Sequence, residues 1–340
     1  MIPLILNVPY YYNIDQRIQG GYMKFKESTL KSYAAPLSDT ENEKCKHAIE
    51  AISDALKDLG FTDDQKGVHL LESDTLAYSV AMRNKHSSER VDIFIQGSYA
   101  NNTCVRNESD VDIAVVRSDL YEYAFGGHFS SSTADRKKEA VLLKDVVEKT
   151  LKTRFPGQVH RGNKSIKVDG NAYRKKADTV PCMSMHYYYK SDQMDYVCYY
   201  DGVVIFADDG SEIRNFPKQH LASGKAKNSR TNYYYKKMVR IMKKMRYLMS
   251  DCGYGCADNV SSFGVESLTW NVPDSFFSKY LNYGFAFKEI VHYLYLHKAD
   301  IGNFYEANGI KKLCPSQQDV DKYVAFIDRL RIFFEYDYSN

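Results

Sequence analysis

The stretch IQGSYANNTCVRNESDVDIAVV, residues 95–116, sets a Gly-Ser pair after one apolar β-type run and places two aspartates, separated by a single valine, at the head of another. Along a strand residues i and i+2 project to one face, so Asp110 and Asp112 are expected side by side while Val111 and Ile113 turn to the core. Two carboxylates this close repel each other unless a cation lies between them. Thirteen residues before Asp110, Gly97 and Ser98 follow the strand-like run 91–96 and precede a segment that reads as a helix start. Glycine lets a phosphate approach the backbone, and the serine hydroxyl with neighbouring N–H groups supplies donors. One side of this unit offers anion binding and the other hard oxygen ligands, the combination that magnesium on a nucleoside triphosphate requires. A two-metal site, with ions about 3.5–4 Å apart, wants a further carboxylate beside the attacking hydroxyl. Asp178, entering the β-type run ADTVPCM at 177–183, is the favoured candidate; Asp169 competes, but its place before Gly170 suits a hairpin turn.

The rest of the chain sets bounds on the partners. Its 340 residues, 44% of them apolar, suffice for one large domain or two modest ones sharing a cleft. With 46 basic against 43 acidic residues the net charge is only +3, so strong nucleic-acid binding is not expected and any polyanion site is local. Seven scattered cysteines argue for a reducing cytoplasm rather than a disulfide framework. The one close pair, Cys252 and Cys256, has no second Cys/His pair at finger spacing and reads as two ordinary thiols. MIPLILNV at the start lacks a basic flank and a cleavage site and is broken by Pro3, so neither a signal peptide nor a membrane span is expected. Tyrosine-rich runs (YYYN, HYYYK, NYYYKK) read as half-buried strand or helix faces.

Periodicity divides the chain into a mixed α/β first half and a helical second half. Apolar side chains at 45, 48, 49, 52, 55, 56 and 59 predict a helix over 40–60, with Thr40 and Glu43 as a capping box and Gly60 as its stop. An amphipathic helix is expected at roughly 133–153, followed by β-type runs at 165–168, 177–183, 185–189 and 202–206. The polar segment 207–229 reads as a loop or linker. From 230 onward the pattern is helical, including 284–298 and 317–335; in the first of these helices Lys236, Arg240 and Lys243 line one face opposite a methionine-rich one. Lys236 is expected to be solvated.

An apolar strand, Gly-Ser, eleven residues, Asp-x-Asp in a second strand and a distant third aspartate resemble the DNA polymerase β-like nucleotidyltransferase superfamily. Within it, over roughly residues 30–300, the chain is similar to the cGAS/DncV-like nucleotidyltransferases of bacterial anti-phage defence. PLSDTE and the helix after it look like that family's N-terminal spine, ADTVPC like its third-aspartate segment, and SSFGVESLTWNVPD at 261–274 like its C-terminal core motif. The resemblance implies an α/β (α+β) fold: a nucleotidyltransferase core with a mixed sheet and a long spine helix over 1–229, and a helical lobe over 230–340 that closes the cleft. It makes Asp110 and Asp112 ligands of both metals and Asp178 the third ligand, with Mg2+ as the ion and Mn2+ as a substitute. Gly97 and Ser98 would hold the donor triphosphate, Lys243 and Ser262 would bind phosphate, and Phe263 would stack on a base. The implied reaction joins nucleoside triphosphates (ATP, GTP or pyrimidine triphosphates) into a cyclic di- or trinucleotide that acts on a downstream effector protein. A linear oligoadenylate synthase or RNA-end nucleotidyltransferase is the alternative activity, and a catalytically silent nucleotide-binding module the alternative of another class. The zinc-ribbon insertion of the animal cyclic GMP-AMP synthase is not found in the sequence, so DNA activation by that route is not expected.

Overall fold

The computed structural model describes residues 25–64, 66–72, 75–106, 110–125, 134–190 and 197–336; the MIPLILNV patch and the YYYN run lie outside them. The predicted apolar stripe forms helix α2 (Asp39–Lys57), preceded by the short α1 (Glu27–Ala34). The cap sits two residues earlier than expected. Ser38 Oγ accepts from the Glu41 N–H at 3.3 Å, and the Glu41 carboxylate accepts from the Ser38 N–H at 3.0 Å. Thr40-x-x-Glu43 has the same spacing, but Ser38 has the extended backbone (φ −73°, ψ 161°) that an N-cap residue adopts, while Thr40 is already inside the helix.

Strands β1 (Phe61–Asp63), β2 (His69–Leu70), β3 (Tyr78–Asn84) and β4 (Arg90–Ile95) lead through the one-turn helix α3 (Gly97–Ala100) into β5 (Val111–Phe125). Helix α4 (Ala134–Arg154) precedes β6 (Val159–Arg161), β7 (Ile166–Val168), β8 (Ala177–Lys190), β9 (Val197–Phe206) and β10 (Glu212–Asn215). These form one sheet in the order β1-β3-β4-β5-β8-β7-β6, with β2 on β3, β9 on β8 and β10 on β9. Most pairs are antiparallel, but β5 and β8 run parallel, so the sheet is mixed. The runs 177–183 and 185–189, read separately from sequence, are one strand. Beyond the core its tyrosines alternate between faces, Tyr189 stacking on Tyr200 and His186 on Tyr199.

The segment 207–229 is not a loop: it carries β10 and helix α5 (Pro217–Arg230). Pro217 opens α5 at a position where its missing N–H costs nothing. The helix buries His220, Gly224, Lys227 and Asn228 rather than an apolar stripe, which is why periodicity does not find it. Helices α6 (Tyr235–Asp251), α7 (Gly255–Asp258), α8 (Ser262–Trp270), α9 (Ser275–Ser278), α10 (Tyr283–Leu296), a 3₁₀ turn (Lys298–Asn303) and α11 (Gln317–Tyr336) complete the chain.

Two main cores result. One lies between α2, α4 and the sheet; the other is built from α6, α8, α10 and α11, and Leu30 and Ala34 of α1 join it. Helix α6 is buried on both faces. Met238, Met242 and Met245 enter the helical core, while on the side toward the first half Lys236, Arg240 and Lys243 are only 5%, 4% and 1% exposed, so Lys236 is not a solvated residue. Among the described residues no helix is long and apolar enough to cross a membrane, and all seven cysteines are free thiols.

Candidate active site

Strand pairing decides where the carboxylates meet. In the parallel β5/β8 ladder Asp112 stands in register with Asp178, and Asp110 immediately precedes β5. Adjacent strands lie about 4.8 Å apart, so the Asp112 and Asp178 side chains rise from neighbouring positions on one face. Val111 and Ile113 are fully buried on the other, as alternation requires. Asp169 lies past the end of β7, where its carboxylate meets the exposed His160 ring at 3.1 Å.

The Gly-Ser turn is pinned over these carboxylates. The Gln96 N–H donates to the Asp112 carbonyl at 2.9 Å, and the Thr103 N–H donates to the Ser98 carbonyl at 2.8 Å, closing the loop around α3. Gly97 has φ +66°, and a Cβ there would lie 3.0 Å from Asp112 Oδ2. Glycine is needed for both reasons, since a side chain would strain the backbone and crowd the carboxylate. Gly97→Ala is expected to lower stability by about 1–2 kcal/mol and to weaken nucleotide affinity at the same time. Thermal unfolding and analogue titration of the one variant check both effects.

Asp112 is the electrostatic centre. Burial, reinforced by the neighbouring Asp178 and Asp110 charges, pushes its carboxyl up to about 7, with Lys243 pulling the other way. Asp110 is turned to the Lys176 ammonium at 3.1 Å, and Asp178 Oδ1 accepts from Ser165 Oγ at 3.2 Å. Among the described residues no three Asp, Glu, His or Cys side chains already form a metal-holding group. The donor set nevertheless suits a hard divalent cation, because carboxylates gathered this way are short of positive charge and offer only oxygen ligands.

Lys243 is held from below. Its Nζ donates to Glu266 Oε2 at 2.5 Å and to Thr103 Oγ1 at 3.3 Å, and Thr103 Oγ1 also donates to Glu266 Oε2 at 2.7 Å. The His220 Nε2 lies 2.8 Å from Glu266 Oε1. Burial alone would raise the Glu266 carboxyl, but the Lys243 charge and the His220 contact hold it well below its usual range. The ammonium read from sequence as a cationic stripe residue is thus one half of an interior ion pair under the Gly97–Thr103 loop. Arg240, one turn earlier, donates to the carbonyls of Ala34 at 2.6 Å and Asn102 at 2.5 Å.

At the start of α8, Ser261 rather than Ser262 is the N-cap, its Oγ accepting from the Gly264 N–H at 2.9 Å. Ser262 and Phe263 are partly exposed, and the Phe263 ring meets His220 edge-on at 5.0 Å. Sequence reasoning missed Thr103, Ser165, Lys176, His220 and Glu266. Only Glu266 carried a signal: the one charged residue of SFGVESLTW, set next to Val265 and two residues before Leu268, requires a partner if that helix is buried.

With that geometry in place, comparison with known proteins is decisive. Residues 222–335 match the cGAS/DncV-like nucleotidyltransferase C-terminal helical domain. The chain is 40% identical over 321 residues to the cyclic GMP-AMP synthase CdnE03 of Staphylococcus schleiferi, covering 92% of this chain and 98% of that protein. The chain belongs to the cGAS/DncV-like nucleotidyltransferases. A second member of this family, the cyclic dipyrimidine nucleotide synthase CdnE of Cecembia lonarensis, is 32% identical over 80% of the chain and 84% of its own length. The structure of the CdnE cyclic dinucleotide synthase of Elizabethkingia meningoseptica with GTP and Apcpp superposes with a TM-score of 0.70 at 29% identity, covering 92% of this chain and all of that one. The mixed α/β architecture and the helical second half are those of this family.

Proposed function

We propose that this chain is a cyclic dinucleotide synthase that joins two nucleoside triphosphates into a ring and releases one pyrophosphate for each bond formed. The observation that carries the reading is the in-register pair Asp112 and Asp178, with Asp110 beside it, under a backbone that Gly97 leaves open to a phosphate. ATP and GTP are the substrates to test first, because the Staphylococcus schleiferi relative is named a cyclic GMP-AMP synthase.

In this reading the Gly97 amide and the Ser98 hydroxyl bind and orient the donor triphosphate. Asp178, steadied by Ser165, orients the ribose hydroxyl that attacks the α-phosphate in line. Asp110, Asp112 and Asp178 would hold two Mg2+, or Mn2+ in their place, which when bound supply charge stabilisation at the entering and leaving oxygens. Ser262 and Phe263, partly exposed at the start of α8, would serve as phosphate donor and base-stacking ring, and Lys243 would contribute its charge from beneath the loop. The product would act on a separate effector protein in an anti-phage response.

The test is chromatography of the products formed from the four triphosphates with magnesium, before and after phosphatase. A phosphatase-resistant product has no terminal phosphate and is a ring; an exclusively phosphatase-sensitive product would establish the linear synthase instead. In the same assay Asp178→Asn is expected to abolish bond formation and Asp169→Asn to be mild. The reverse ranking moves the third carboxylate to the turn after β7.

A further inference from the structure

Four polar side chains, His220, Glu266, Lys243 and Thr103, meet in the interior between the loop and α8. Helix α5 brings His220 and, one turn on, Gly224 to the loop after α3; a Cβ on Gly224 would fall 2.5 Å from Asn101 Oδ1, so α5 and the loop are in close contact. His220 is buried, its Nε2 bonds Glu266 Oε1 at 2.8 Å, and its ring lies edge-on to Phe263 at 5.0 Å. Glu266 in turn receives Lys243 and Thr103 on its other oxygen. Because Glu266 is ionised and can only accept, the proton in the His220 contact belongs to Nε2. One imidazole therefore touches both halves of the nucleotide site. Its N–H acts on the groups that hold the phosphate loop, and its ring acts on the aromatic side chain at the base side.

Resting on the function proposed above, we propose that His220 is a positioning residue of the synthase: it couples the phosphate side of the donor site, through Glu266, Lys243 and Thr103, to the base side, through Phe263. Glu266 fixed at both oxygens holds Lys243 and Thr103 in one arrangement, and Thr103 holds Ser98 through the backbone. The same ring limits the orientations open to the partly exposed Phe263.

Two substitutions separate the two contacts. His220→Gln keeps an N–H donor near the Nε2 position and removes the ring; His220→Phe keeps a ring and removes the donor. Inorganic tripolyphosphate and a non-hydrolysable ATP analogue are titrated against wild type and both variants, with thermal unfolding alongside. His220→Phe is expected to weaken tripolyphosphate binding about tenfold, the scale of a lost hydrogen bond to a charged group. His220→Gln should leave tripolyphosphate within about twofold of wild type and cost about three- to tenfold of the extra affinity the analogue gains from its nucleoside, the scale of a lost aromatic contact. In turnover, His220→Gln should raise KM with kcat nearly retained, and His220→Phe should lower both kcat and kcat/KM. Wild-type binding by both variants, or equal losses on both ligands, overturns the proposal. Should His220→Phe fail to fold, the His220→Gln arm decides alone, since a purely structural histidine would not shift the analogue and tripolyphosphate affinities apart. A wild-type chain that binds neither ligand defeats the nucleotide site itself, a failure distinct from variants that merely match a binding wild type.

Discussion

Asp112→Asn is expected to reduce synthesis by roughly a thousandfold or more, and in the metal-free protein to raise stability at pH 8. The first effect follows from removing the carboxylate that faces Asp178 and lies under Gly97, where in the proposed reaction several kcal/mol of transition-state stabilisation would converge, each 1.4 kcal/mol or so being tenfold in rate. The second follows from the carboxyl's displacement from its ordinary value of 3.8 to about 7. Between those values the folded chain holds a proton that the unfolded chain has released. Stability therefore declines as pH rises through the window, and the penalty is complete above about pH 7. At about 1.4 kcal/mol per pH unit between the two values the ceiling is about 4 kcal/mol, and the partial exposure of Asp112 lowers it. Asparagine carries no such penalty. Unfolding midpoints measured in chelator should converge near pH 4 and diverge in favour of the variant by pH 8. Parallel curves across that range would show that burial and the neighbouring carboxylates do not hold Asp112 protonated, and unchanged product formation would remove it from the site.

Lys243→Ala is expected to destabilise the protein by about 3–5 kcal/mol, because Glu266, 1% exposed, would lose its ammonium partner and keep only the contacts of Thr103 and His220. For a chain of this size that is a fall in Tm of about 4–7 °C. A kinetic comparison of this variant with wild type would then confuse lost folding with lost phosphate contact. Lys243→Met combined with Glu266→Leu resolves them, since apolar residues of similar volume remove both charges together. The pair should recover part of the lost stability, the rest staying lost because Thr103 and His220 no longer have an acceptor in Glu266. Its triphosphate affinity should nevertheless stay about ten- to a hundredfold weaker if the ammonium contributes to the donor site. Lys236 cannot serve as the solvated control because it too is buried; Lys31, 62% exposed on α1, can. If the double variant binds triphosphate as wild type does, Lys243 holds only the interior of the protein.

The sequence by itself determined the local units. Two-residue alternation placed Asp110 and Asp112 on one face with Val111 and Ile113 beneath, and apolar spacing located α2 and the helical second half, because these signals are written in neighbouring residues; in α4 the apolar Val141, Leu142 and Val146 are exposed and the buried face is Ala140, Lys144, Val147, Thr150 and Leu151. It also joined Gly97, Ser98, Asp110 and Asp112 in one unit, since a strand, a Gly-Ser turn and an Asp-x-Asp strand follow one another along the chain. Tertiary structure alone decided the rest. That Asp178 rather than Asp169 faces Asp112 is a matter of parallel register between strands 66 residues apart (178 − 112), which no local pattern specifies. The fate of the basic face on α6 was equally hidden. A helix carrying Lys236, Arg240 and Lys243 looks solvated until α1, α8 and the loop after α3 meet it with the carbonyl of Ala34, Glu266, Thr103 and the carbonyl of Asn102. Helix α5 escaped for the opposite reason: it packs through His220, Gly224, Lys227 and Asn228, and burial by polar and small residues leaves no periodic apolar trace. Charge is legible in sequence, but whether water or a carboxylate meets it depends on residues that only the folded chain brings together.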